Sequence, residues 1–591
     1  MRSVKSSSIR SVLVVILALL IVMPCSGCMV NSSLIIPEDY DEKNTTNESS
    51  DDNKKTKAPL DKSEYYEIVF LQENASPGWE QYNEQNYFRK TLKEKFNFGY
   101  EIIGYIGNSY EKLALMLASG DYPELVGTKT EKYLRIYIQE GALIELEPLM
   151  DKYGPNFKER HKEQIPFWKV MSGIDDGRIW FYTTYEPSMS YGRTVAINEW
   201  KLRSDILEQQ NYPEIRNEDD IFEVLKRGMK DNPYTNGEPT AGFSIPLQST
   251  SGITCATYIF NMGRLSHMTL QYGSVWDPNQ EIFIDVAKDY SYKDGLLFYN
   301  KLWREGLFDR DAVTYPLDRF INKMKQGYAL ATYFHGWDWQ TWNQYLKLGG
   351  KDYRYIPFPL QLESQMEKGE EKIYPINNGE IWSSMSITKN ARYPERIMEV
   401  LDWCATDEGL IACGWGEEGK QYSINHNGLR VPTIEHVEKM QTDQDYIYSW
   451  MGTQIFGFFC GLDQNGQNYN MQHDDEFLKL SSDPKVTRTY EHYGWNSIYE
   501  SHNENENFKA VYDYPLGFKM FIPDYSFQEK KAFERIDILT NDYTMKLITS
   551  ESIEKFNILY EEMLNKRDAL GLPFLIEKRN NEYKELEEKL Y

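Results

Sequence analysis

Strand-like and helix-like patterns alternate through the first part of the chain. Short apolar runs typical of buried strands are separated by segments whose apolar residues recur at helical spacing. In chain order these segments are a strand at 66–71, a helix at 79–96, a strand at 100–105, a helix at 111–119 and a strand at 123–127. Gly120 directly follows the second helix, at a position where a left-handed residue commonly ends a helix. This βαβα order predicts an α/β fold with a largely parallel sheet.

The same two patterns continue along the rest of the chain. Strands are predicted at 180–184 and 327–332, and amphipathic helices at 293–305 and 394–405. Two more helical patterns, at 552–570 and 574–590, end the sequence. No fixed-period repeat is present, which argues against a solenoid or a propeller.

The N-terminus has the features of an export signal. The first ten residues carry three cations, and residues 12–23 form an unbroken apolar run. A membrane-spanning helix needs about 20 apolar residues, so this shorter run indicates the h-region of a signal peptide. The run is followed by Ser26, Gly27 and Cys28, which resemble a bacterial lipobox with Cys28 as the lipidated residue. Cys25 stands where most lipoboxes carry Leu, and an ordinary signal peptide with two incidental cysteines is the alternative.

A polar tether is predicted behind this signal. Residues 31–59 are mostly Asn, Ser, Thr, Asp, Glu and Lys, and such a segment buries too little apolar surface to offset its ordering entropy. We therefore expect a signal peptide at 1–27 and a lipid-anchored flexible linker at 28–62. No later segment is long and apolar enough to span a membrane.

Charge and cysteine content exclude several classes of protein. The formal net charge of -25 argues against a nucleic-acid partner, because phosphate binding needs clustered Lys and Arg. Behind Cys25 and Cys28 only four cysteines remain, which are too few for a disulfide scaffold, and none of these four forms a CxxC pair suited to zinc or redox chemistry. Whether Cys404 and Cys413 form a disulfide is left open by the sequence.

Five segments, taken in order, resemble the extracellular solute-binding proteins of family 1, and in particular their long Gram-positive lipoprotein branch. The segments are EKLALMLASGDYPELV (111–126), GALIELEPLMDKYGPN (141–156), DGLLFYNKLWREGLFDRD (294–311), residues 386–409, and GEEGKQY (416–422). These proteins are the substrate-binding components of ABC importers. The order of the segments behind a lipobox makes the resemblance more specific than any one of them.

The resemblance implies a two-lobed α/β fold like that of the type II periplasmic binding proteins, with a hinge between the lobes and a ligand cleft. Closure of the hinge traps the ligand, and an ABC permease in the membrane recognises the closed form. The implied lobe boundaries are 63–192 and 381–440 for lobe 1, and 193–380 and 441–591 for lobe 2. We expect a monomer on the extracytoplasmic face of the membrane, with no cofactor.

Aromatic residues point to a carbohydrate as the ligand. Sugar rings have apolar C–H faces and polar rims, so a sugar site needs flat aromatic platforms beside a few hydrogen-bonding groups. The best candidate segment, Tyr333 to Trp339, contains Trp337, Asp338 and Trp339 behind a predicted strand. It is similar to the Gly-x-Trp-x-Trp segment of maltose-type binding proteins, but the spacing differs by one residue. Core packing of both tryptophans is the alternative interpretation.

Further candidate ligand contacts follow or precede predicted strands. Parallel α/β sheets place ligands beside the loops at the carboxyl ends of their strands. These candidates are Trp79, Lys129, Thr130, Tyr185, Glu186 and Trp382. For each of them, packing or plain solvent exposure remains the competing interpretation.

A metal site is not expected. Many members of the resembled family carry a DxDxNGxxDTxG stretch that could hold calcium, and its counterpart here is DNPYTNGEPTAG (231–242). Only Asp231 and Glu238 remain acidic, and two prolines occupy would-be ligand positions, whereas calcium takes six or more oxygens.

Two other functions remain open. The sequence has no GxSxG, HExxH, P-loop or strand-linked GxGxxG motif, and no catalytic residue is predicted. A surface-anchored glycoside hydrolase or polysaccharide lyase would instead need two carboxyl groups facing each other across a cleft. A peptide or amino-sugar receptor would need a charged site with fewer aromatic platforms. A sensor that passes ligand status to a kinase instead of a permease has the same sequence features as a transport receptor.

Overall fold

The structure is a computed structural model. The residues that it describes are 61–73, 85–105, 109–127, 131–172, 174, 176–184, 198–247, 273–277, 279–314, 316–335, 338–370, 384–452, 456, 461–495, 523 and 525–590.

Strands and helices alternate along the described residues. The strands are Tyr66–Glu73 (β1), Phe98–Tyr105 (β2), Leu125–Val126 (β3), Tyr182–Thr183 (β4), Asn198–Arg203 (β5), Tyr234–Thr235 (β6), Glu238–Pro239 (β7), Ala241–Phe243 (β8), Ser274–Asp277 (β9), Ile282–Asp285 (β10), Ala329–His335 (β11), Tyr355–Phe358 (β12), Ser384–Ile387 (β13), Tyr422–Ile424 (β14) and Arg430–Pro432 (β15). The helices are Tyr87–Phe96 (α1), Ser109–Ser119 (α2), Glu131–Gln139 (α3), Glu147–Tyr153 (α4), Pro155–Arg160 (α5), Ile165–Met171 (α6), Ser204–Gln209 (α7), Glu218–Asp231 (α8), Tyr290–Arg304 (α9), Leu317–Lys325 (α10), Asp338–Leu348 (α11), Glu363–Glu367 (α12), Pro394–Cys404 (α13), Asp407–Gly414 (α14), Ile434–Thr442 (α15), Asp475–Ser481 (α16), Pro484–His492 (α17), Phe527–Ile548 (α18), Ile553–Ala569 (α19) and Leu572–Leu590 (α20).

The first sheet has five strands in the order β2-β1-β3-β13-β4. Strands β1, β2 and β3 are parallel, whereas β13 is antiparallel to both β3 and β4, so that β4 runs in the same direction as β3. Along β1, Tyr66, Ile68 and Phe70 are buried while Glu67 is exposed, as expected where alternate side chains face opposite sides of a sheet. We call this sheet and its core lobe 1.

The second sheet has four strands in the order β12-β5-β11-β8. Strand β11 is parallel to β8, and β5 is antiparallel to β11 and β12, so that β8, β11 and β12 share one direction. Helices α18 and α19 pack on the core of this sheet, to which they contribute Leu547, Phe556 and Tyr560. We call this sheet and its core lobe 2.

Each lobe has its own large hydrophobic core. Buried residues of lobe 1 include Phe70, Leu125, Ile387 and Leu401, and those of lobe 2 include Trp200, Phe243, Phe334 and Ile356. Within the described residues, no helix combines the length and apolar character needed to cross a bilayer.

Most of the predicted elements are confirmed with small changes at their ends. The predicted strand at 66–71 is β1, and the predicted helices at 394–405, 552–570 and 574–590 are α13, α19 and α20. The described part of the predicted helix at 79–96 begins only at Tyr87, because the side chain of Asn86 caps it by accepting from the Arg89 amide. The strand predicted at 327–332 continues to His335 as β11.

Several other sequence features also have a described outcome. Gly120 has φ of 71°, the left-handed conformation that was expected at a helix end. Cys404 and Cys413, whose pairing was left open, are both buried free thiols, and burial raises the pKa of each. The predicted lobe boundaries stay a prediction: the first two fall within 185–197 and 371–383, outside the described residues, and the third, at 440/441, falls inside α15.

The segment similar to a calcium loop, residues 231–242, contains a short hairpin. Arg203 of β5 holds this hairpin in place. Strands β6 and β7 meet at a two-residue turn, Asn236–Gly237, where both residues have positive φ. The buried guanidinium of Arg203 donates to Thr235 Oγ1 and to the Gly327 carbonyl oxygen, both at 2.9 Å. It also stacks over the Tyr353 ring at 4.0 Å and pairs with Asp205.

Substituting Arg203 tests whether this guanidinium holds the hairpin. Arg203→Met should lower the free energy of unfolding by about 3 kcal/mol, because it leaves the partners of a buried charged group unpaired. Thermal unfolding of the variant measures the change, and addition of EDTA to the unmodified chain should leave the melting temperature where it was. Exposed Arg216→Met is the control. A drop in melting temperature on chelation would instead show that a bound cation holds the chain.

Candidate functional site

The first connection between the lobes joins two particular sheet edges. Strand β4 ends at Thr183, at the edge of lobe 1 where the parallel strands β1, β2 and β3 also end. Strand β5 begins at Asn198, at the edge of lobe 2 where β8, β11 and β12 end, because β5 is antiparallel to them. Residues 184–197 therefore link the carboxyl edge of one sheet to the carboxyl edge of the other.

The second connection joins the same two edges. The chain leaves lobe 2 after β12 and α12, and it re-enters lobe 1 at Ser384, the first residue of β13. Since β13 is antiparallel to β3 and β4, its first residue lies at the carboxyl edge of the lobe 1 sheet. Two links between the same pair of edges bring these edges towards each other. In open α/β sheets, ligands bind outside the carboxyl ends of the strands, so these edges are the candidate binding site.

The lobe 1 edge is closely packed around small polar residues. Thr183 is buried and pairs with Ser384 across β4 and β13, and Gln164 Nε2 donates to Thr183 Oγ1 at 3.3 Å. Gln164 also contacts the ring of His161, and burial lowers the pKa of that imidazole to about 4, so that it is neutral at pH 7. A Cβ atom at Gly127 would lie 3.3 Å from the Ser384 carbonyl oxygen. This packing fixes the positions at which the chain leaves and re-enters lobe 1.

The lobe 2 edge combines a buried cation with aromatic packing. The fully buried Lys201 in β5 donates from Nζ to the Phe334 carbonyl oxygen of β11 at 2.7 Å, close to where β11 ends. Tyr333 is also buried, and its ring packs 5.9 Å from that of Trp200. Tyr333 therefore belongs to the core, whereas the sequence had placed it behind the strand, in the candidate sugar-binding segment.

An aromatic cluster that the sequence analysis missed lies at the end of β12. The ring of Phe358 packs 5.0 Å from Tyr493 and 5.5 Å from Trp495, and these last two rings stack at 5.1 Å. Tyr493 and Trp495 are only partly buried. The aromatic–Gly–aromatic spacing of residues 493–495 was the available signal, but nothing in the sequence connected it with β12.

The predicted ligand-binding residues flank these described strand ends. Trp79, Lys129, Thr130, Tyr185, Glu186, Trp337 and Trp382 lie outside the described residues. By position in the chain, they follow β1, β3, β4 and β11 or precede β13, which are all strand ends at the two carboxyl edges. Asp338 and Trp339 begin helix α11, and only their backbone is described. Cys28 also lies outside the described residues.

Two carboxyl groups, those of Glu218 and Glu363, lie at the starts of α8 and α12, and they bear on whether the chain could be a glycoside hydrolase or lyase. Glu218 begins α8, and burial raises its pKa to about 7, with the nearby Asp219 and Glu363 adding to the rise. However, Glu218 Oε2 accepts from the Glu363 amide of α12 at 2.9 Å, and the Asn217 side chain contacts Glu363. These contacts hold two helix starts together, so the raised pKa has a structural explanation here.

The described residues hold no cluster of three or more His, Cys, Asp or Glu side chains suited to a metal ion.

Comparison with known proteins identifies relatives that bind carbohydrates. No protein-family model matches the chain. A curated relative, the fructooligosaccharide ABC transporter substrate-binding protein FusA of Streptococcus pneumoniae serotype 4, is 25% identical over 225 residues. That match covers 36% of this chain and 39% of the relative, so the chain aligns with about two-fifths of the relative's length.

Solved structures match over far more of the chain. The FusA protein of S. pneumoniae in complex with kestose has a TM-score of 0.59 at 17% identity, covering 88% of this chain and 99% of that one. A milk-oligosaccharide-binding, ABC-transporter-associated solute-binding protein of Bifidobacterium longum infantis has a TM-score of 0.61 at 15% identity, covering 88% and 98%. The chain therefore has the two-lobed α/β fold of ABC-transporter solute-binding proteins. This confirms the predicted fold and the resemblance from which it was inferred.

The raised pKa of Glu218 predicts a pH-dependent cost to stability. In the folded chain the pKa of the Glu218 carboxyl is raised above its usual value of 4.5, so the folded chain holds this proton more tightly than the unfolded chain does. The stability of the fold therefore falls as pH rises from about 4.5 to about 7. Glu218→Gln keeps an acceptor for the Glu363 amide and removes the charge. It should stabilise the fold by about 1 kcal/mol at pH 8 and by nothing at pH 4, as measured by thermal unfolding.

The control for this measurement is Glu223→Gln, which changes an exposed carboxylate on the same helix. A gain of equal size at both pH values would contradict the assignment of the raised pKa to Glu218.

Proposed function

We propose that the chain is the extracytoplasmic substrate-binding component of an ABC importer, and that it binds an oligosaccharide between its two lobes. The observation that carries the proposal is that the first two connections between the lobes join the same two carboxyl edges. A ligand that bridges these edges binds the closed arrangement better than the open one, and this differential affinity drives closure. The relatives named above bind fructooligosaccharides or milk oligosaccharides, which supports a carbohydrate as the ligand.

The proposed contacts are the residues next to those strand ends. Trp337, Trp339, Trp79, Trp382 and Tyr185 would supply aromatic platforms for the sugar rings, and Lys129, Thr130, Glu186 and Asp338 would supply hydrogen bonds to hydroxyl groups. Trp495, which stacks on Tyr493 at the end of β12, is a further candidate platform at the same edge. The high aromatic content of the chain, 44 Tyr, 27 Phe and 14 Trp, fits a site built in this way.

The enzyme alternative has less support. The relatives are binding proteins, and the carboxylate Glu218, whose pKa is raised to about 7, is held by helix-start contacts. We therefore propose binding without turnover. A glycosidase would leave shortened products after incubation with a bound oligosaccharide, so the same experiment that measures binding distinguishes the two functions.

Sugar binding tests the proposal directly. Isothermal titration calorimetry with kestose and with a set of milk oligosaccharides should give saturable binding to one class, with the sugar recovered unchanged by chromatography. Trp337→Ala or Trp339→Ala should cost about 2 kcal/mol, a roughly 30-fold weaker affinity, because a large aromatic contact is lost. Tyr234→Ala, which truncates an exposed aromatic residue on the β6–β7 hairpin at the opposite edge, is the control.

Three results would contradict this proposal: binding of peptides alone, cleavage of the sugar, or equal losses in the tryptophan variants and the Tyr234 control.

The remaining part of the proposal concerns location and partners. We propose that the chain is exported, lipidated at Cys28 and held at the outer face of the cell membrane by the polar tether at 28–62. There it would act as a monomer that delivers sugar to the transmembrane subunits of an ABC permease. The lipobox-like sequence and the ABC-transporter relatives support this arrangement.

Lipidation can be tested by substitution of the two N-terminal cysteines. Cys28→Ser should release the protein from the membrane fraction into the medium, because the thiol that carries the lipid is gone, whereas Cys25→Ser should not. Cell fractionation with mass spectrometry of the mature N-terminus measures both. If Cys28→Ser leaves the distribution unchanged, the ordinary signal peptide is correct instead.

A further inference from the structure

A β-hairpin of the chain belongs to the cores of both lobes. Strands β9 and β10 are antiparallel, and neighbouring side chains of a strand point to opposite faces. Val275 packs in the lobe 2 core, while the next residue, Trp276, packs in the lobe 1 core. Phe283 of β10 also lies in the lobe 1 core, and Val286, directly after β10, lies in that of lobe 2. The hairpin is therefore a packed layer between the two cores.

The last helix crosses between the lobes in the same way. The start of α20 packs through Leu572 and Leu575 against Phe533 and Ile536 of α18, a helix that belongs to lobe 2. Further along α20, Tyr583 is buried in the lobe 1 core, and the helix contacts α6 of that lobe. One helix is thus anchored in lobe 2 at its start and in lobe 1 towards its end.

Aromatic packing joins the hairpin to this helix on the lobe 1 side. The rings of Trp276, Phe283 and Tyr583 form a triangle with centroid separations of 5.0–5.4 Å. All three residues are at least 97% buried, so the triangle is a dry contact. Such aromatic contacts stabilise a packed interface beyond the apolar area that they bury.

Polar contacts fix the same two elements to each other. The Asn580 side chain donates to the Phe283 carbonyl oxygen at 2.9 Å and accepts from the Phe283 amide at 2.7 Å, so that it pairs with the hairpin as a neighbouring strand would. The buried Arg579 guanidinium lies 3.7 Å from the Phe283 ring centroid and donates to Ser274 Oγ at 2.8 Å. The hairpin and α20 are therefore held in one relative position.

A buried ion pair ties the hairpin to lobe 2. Arg567 of α19 donates from Nη2 to Asp285 Oδ1 of β10 at 2.6 Å, and both side chains are almost fully buried. The same guanidinium contacts Thr540 of α18. Breaking a buried pair of this kind strongly destabilises the contact, so this end of the hairpin moves with lobe 2.

We propose that β9, β10 and α20 form a strap that couples the two lobes and restricts their relative orientations, in addition to the two chain connections at the ligand edges. Tyr583 and Asn580 are its positioning residues. Packed contacts of this kind hold a few discrete arrangements and do not deform continuously, so the strap limits how far the lobes can separate. Its effect on ligand affinity rests on the proposed function, because only a ligand held by both lobes responds to the fraction of chains in a closed arrangement.

Calorimetric unfolding of the full chain tests the coupling without any ligand. The unmodified chain and Phe574→Ala, which truncates an exposed aromatic residue on the same helix, should each unfold in one transition because the lobes are coupled. Tyr583→Ala should unfold in two transitions. Its radius of gyration from small-angle X-ray scattering should also be larger than that of the Phe574 control.

Asn580→Ala is the second variant in case Tyr583→Ala does not fold, since it removes two hydrogen bonds and leaves the aromatic triangle. The unfolding transition of Asn580→Ala should also broaden, or split in two as expected for Tyr583→Ala. A single transition for both variants at a lower temperature, with an unchanged radius of gyration, would overturn the strap. Two transitions for the unmodified chain would overturn it as well.

Titration with kestose provides the functional arm. If kestose binds, Tyr583→Ala should weaken its affinity about tenfold, in proportion to a tenfold fall in the binding-competent fraction, and Phe574→Ala should not. If kestose binds neither the unmodified chain nor the variants while unfolding still splits, the strap stands and the ligand is wrong. Equal kestose affinities for Tyr583→Ala and the control would show that the strap does not affect binding.

Discussion

The direction in which the chain enters and leaves each sheet is the constraint on which the rest of the structure depends. Within lobe 1, β4 runs with β1, β2 and β3, and within lobe 2, β5 runs against β8, β11 and β12. A connection from β4 to β5 must then join the carboxyl edges of both sheets. The antiparallel β13 makes the return connection obey the same rule. Two sheets linked in this way present to each other the edges at which α/β proteins bind ligands.

The arrangement also separates the parts that bind from the parts that hold the lobes together. The residues proposed to contact sugar adjoin strand ends, whereas the strap of β9, β10 and α20 shares side chains with both hydrophobic cores. A ligand can therefore bias the relative position of the lobes without disturbing either core. The range of positions available to it is limited by contacts elsewhere in the fold, such as the pairing of Asn580 with Phe283. On the proposed function, affinity then depends on both groups of residues.

Much of the fold could be predicted from local patterns, whereas its long-range pairings could not. The strand β1 and the helices α13, α19 and α20 have clear periodicity, and they lie where the sequence predicted them. Strands β3 and β4 lie within the strands predicted at 123–127 and 180–184, but the position of β13 between them depends on pairing across the sheet. The start of α1 was missed because Asn86 alone, through its side-chain cap, decides where the described helix begins.

The candidate site could also be predicted from local sequence only in part. The rule that ligands lie at carboxyl strand ends selected residues that follow or precede strands of the two linked edges, and their contact with a ligand stays a prediction. Tyr333 was misplaced, because β11 continues past the point where the predicted strand ended and carries that ring into the core. Trp495 was missed, because its neighbour Phe358 is distant in sequence. The strap was invisible for the same reason: Trp276 and Tyr583 meet only in the folded chain.

A crystal structure of the chain with a bound oligosaccharide is the most direct test of the central claim. We expect an intact sugar between the end of β11 in lobe 2 and the ends of β1, β3 and β4 in lobe 1, in contact with both lobes at once. A sugar bound to one lobe only, at another surface, or seen as cleaved products would contradict the claim that the two linked edges form the binding site of a transport receptor.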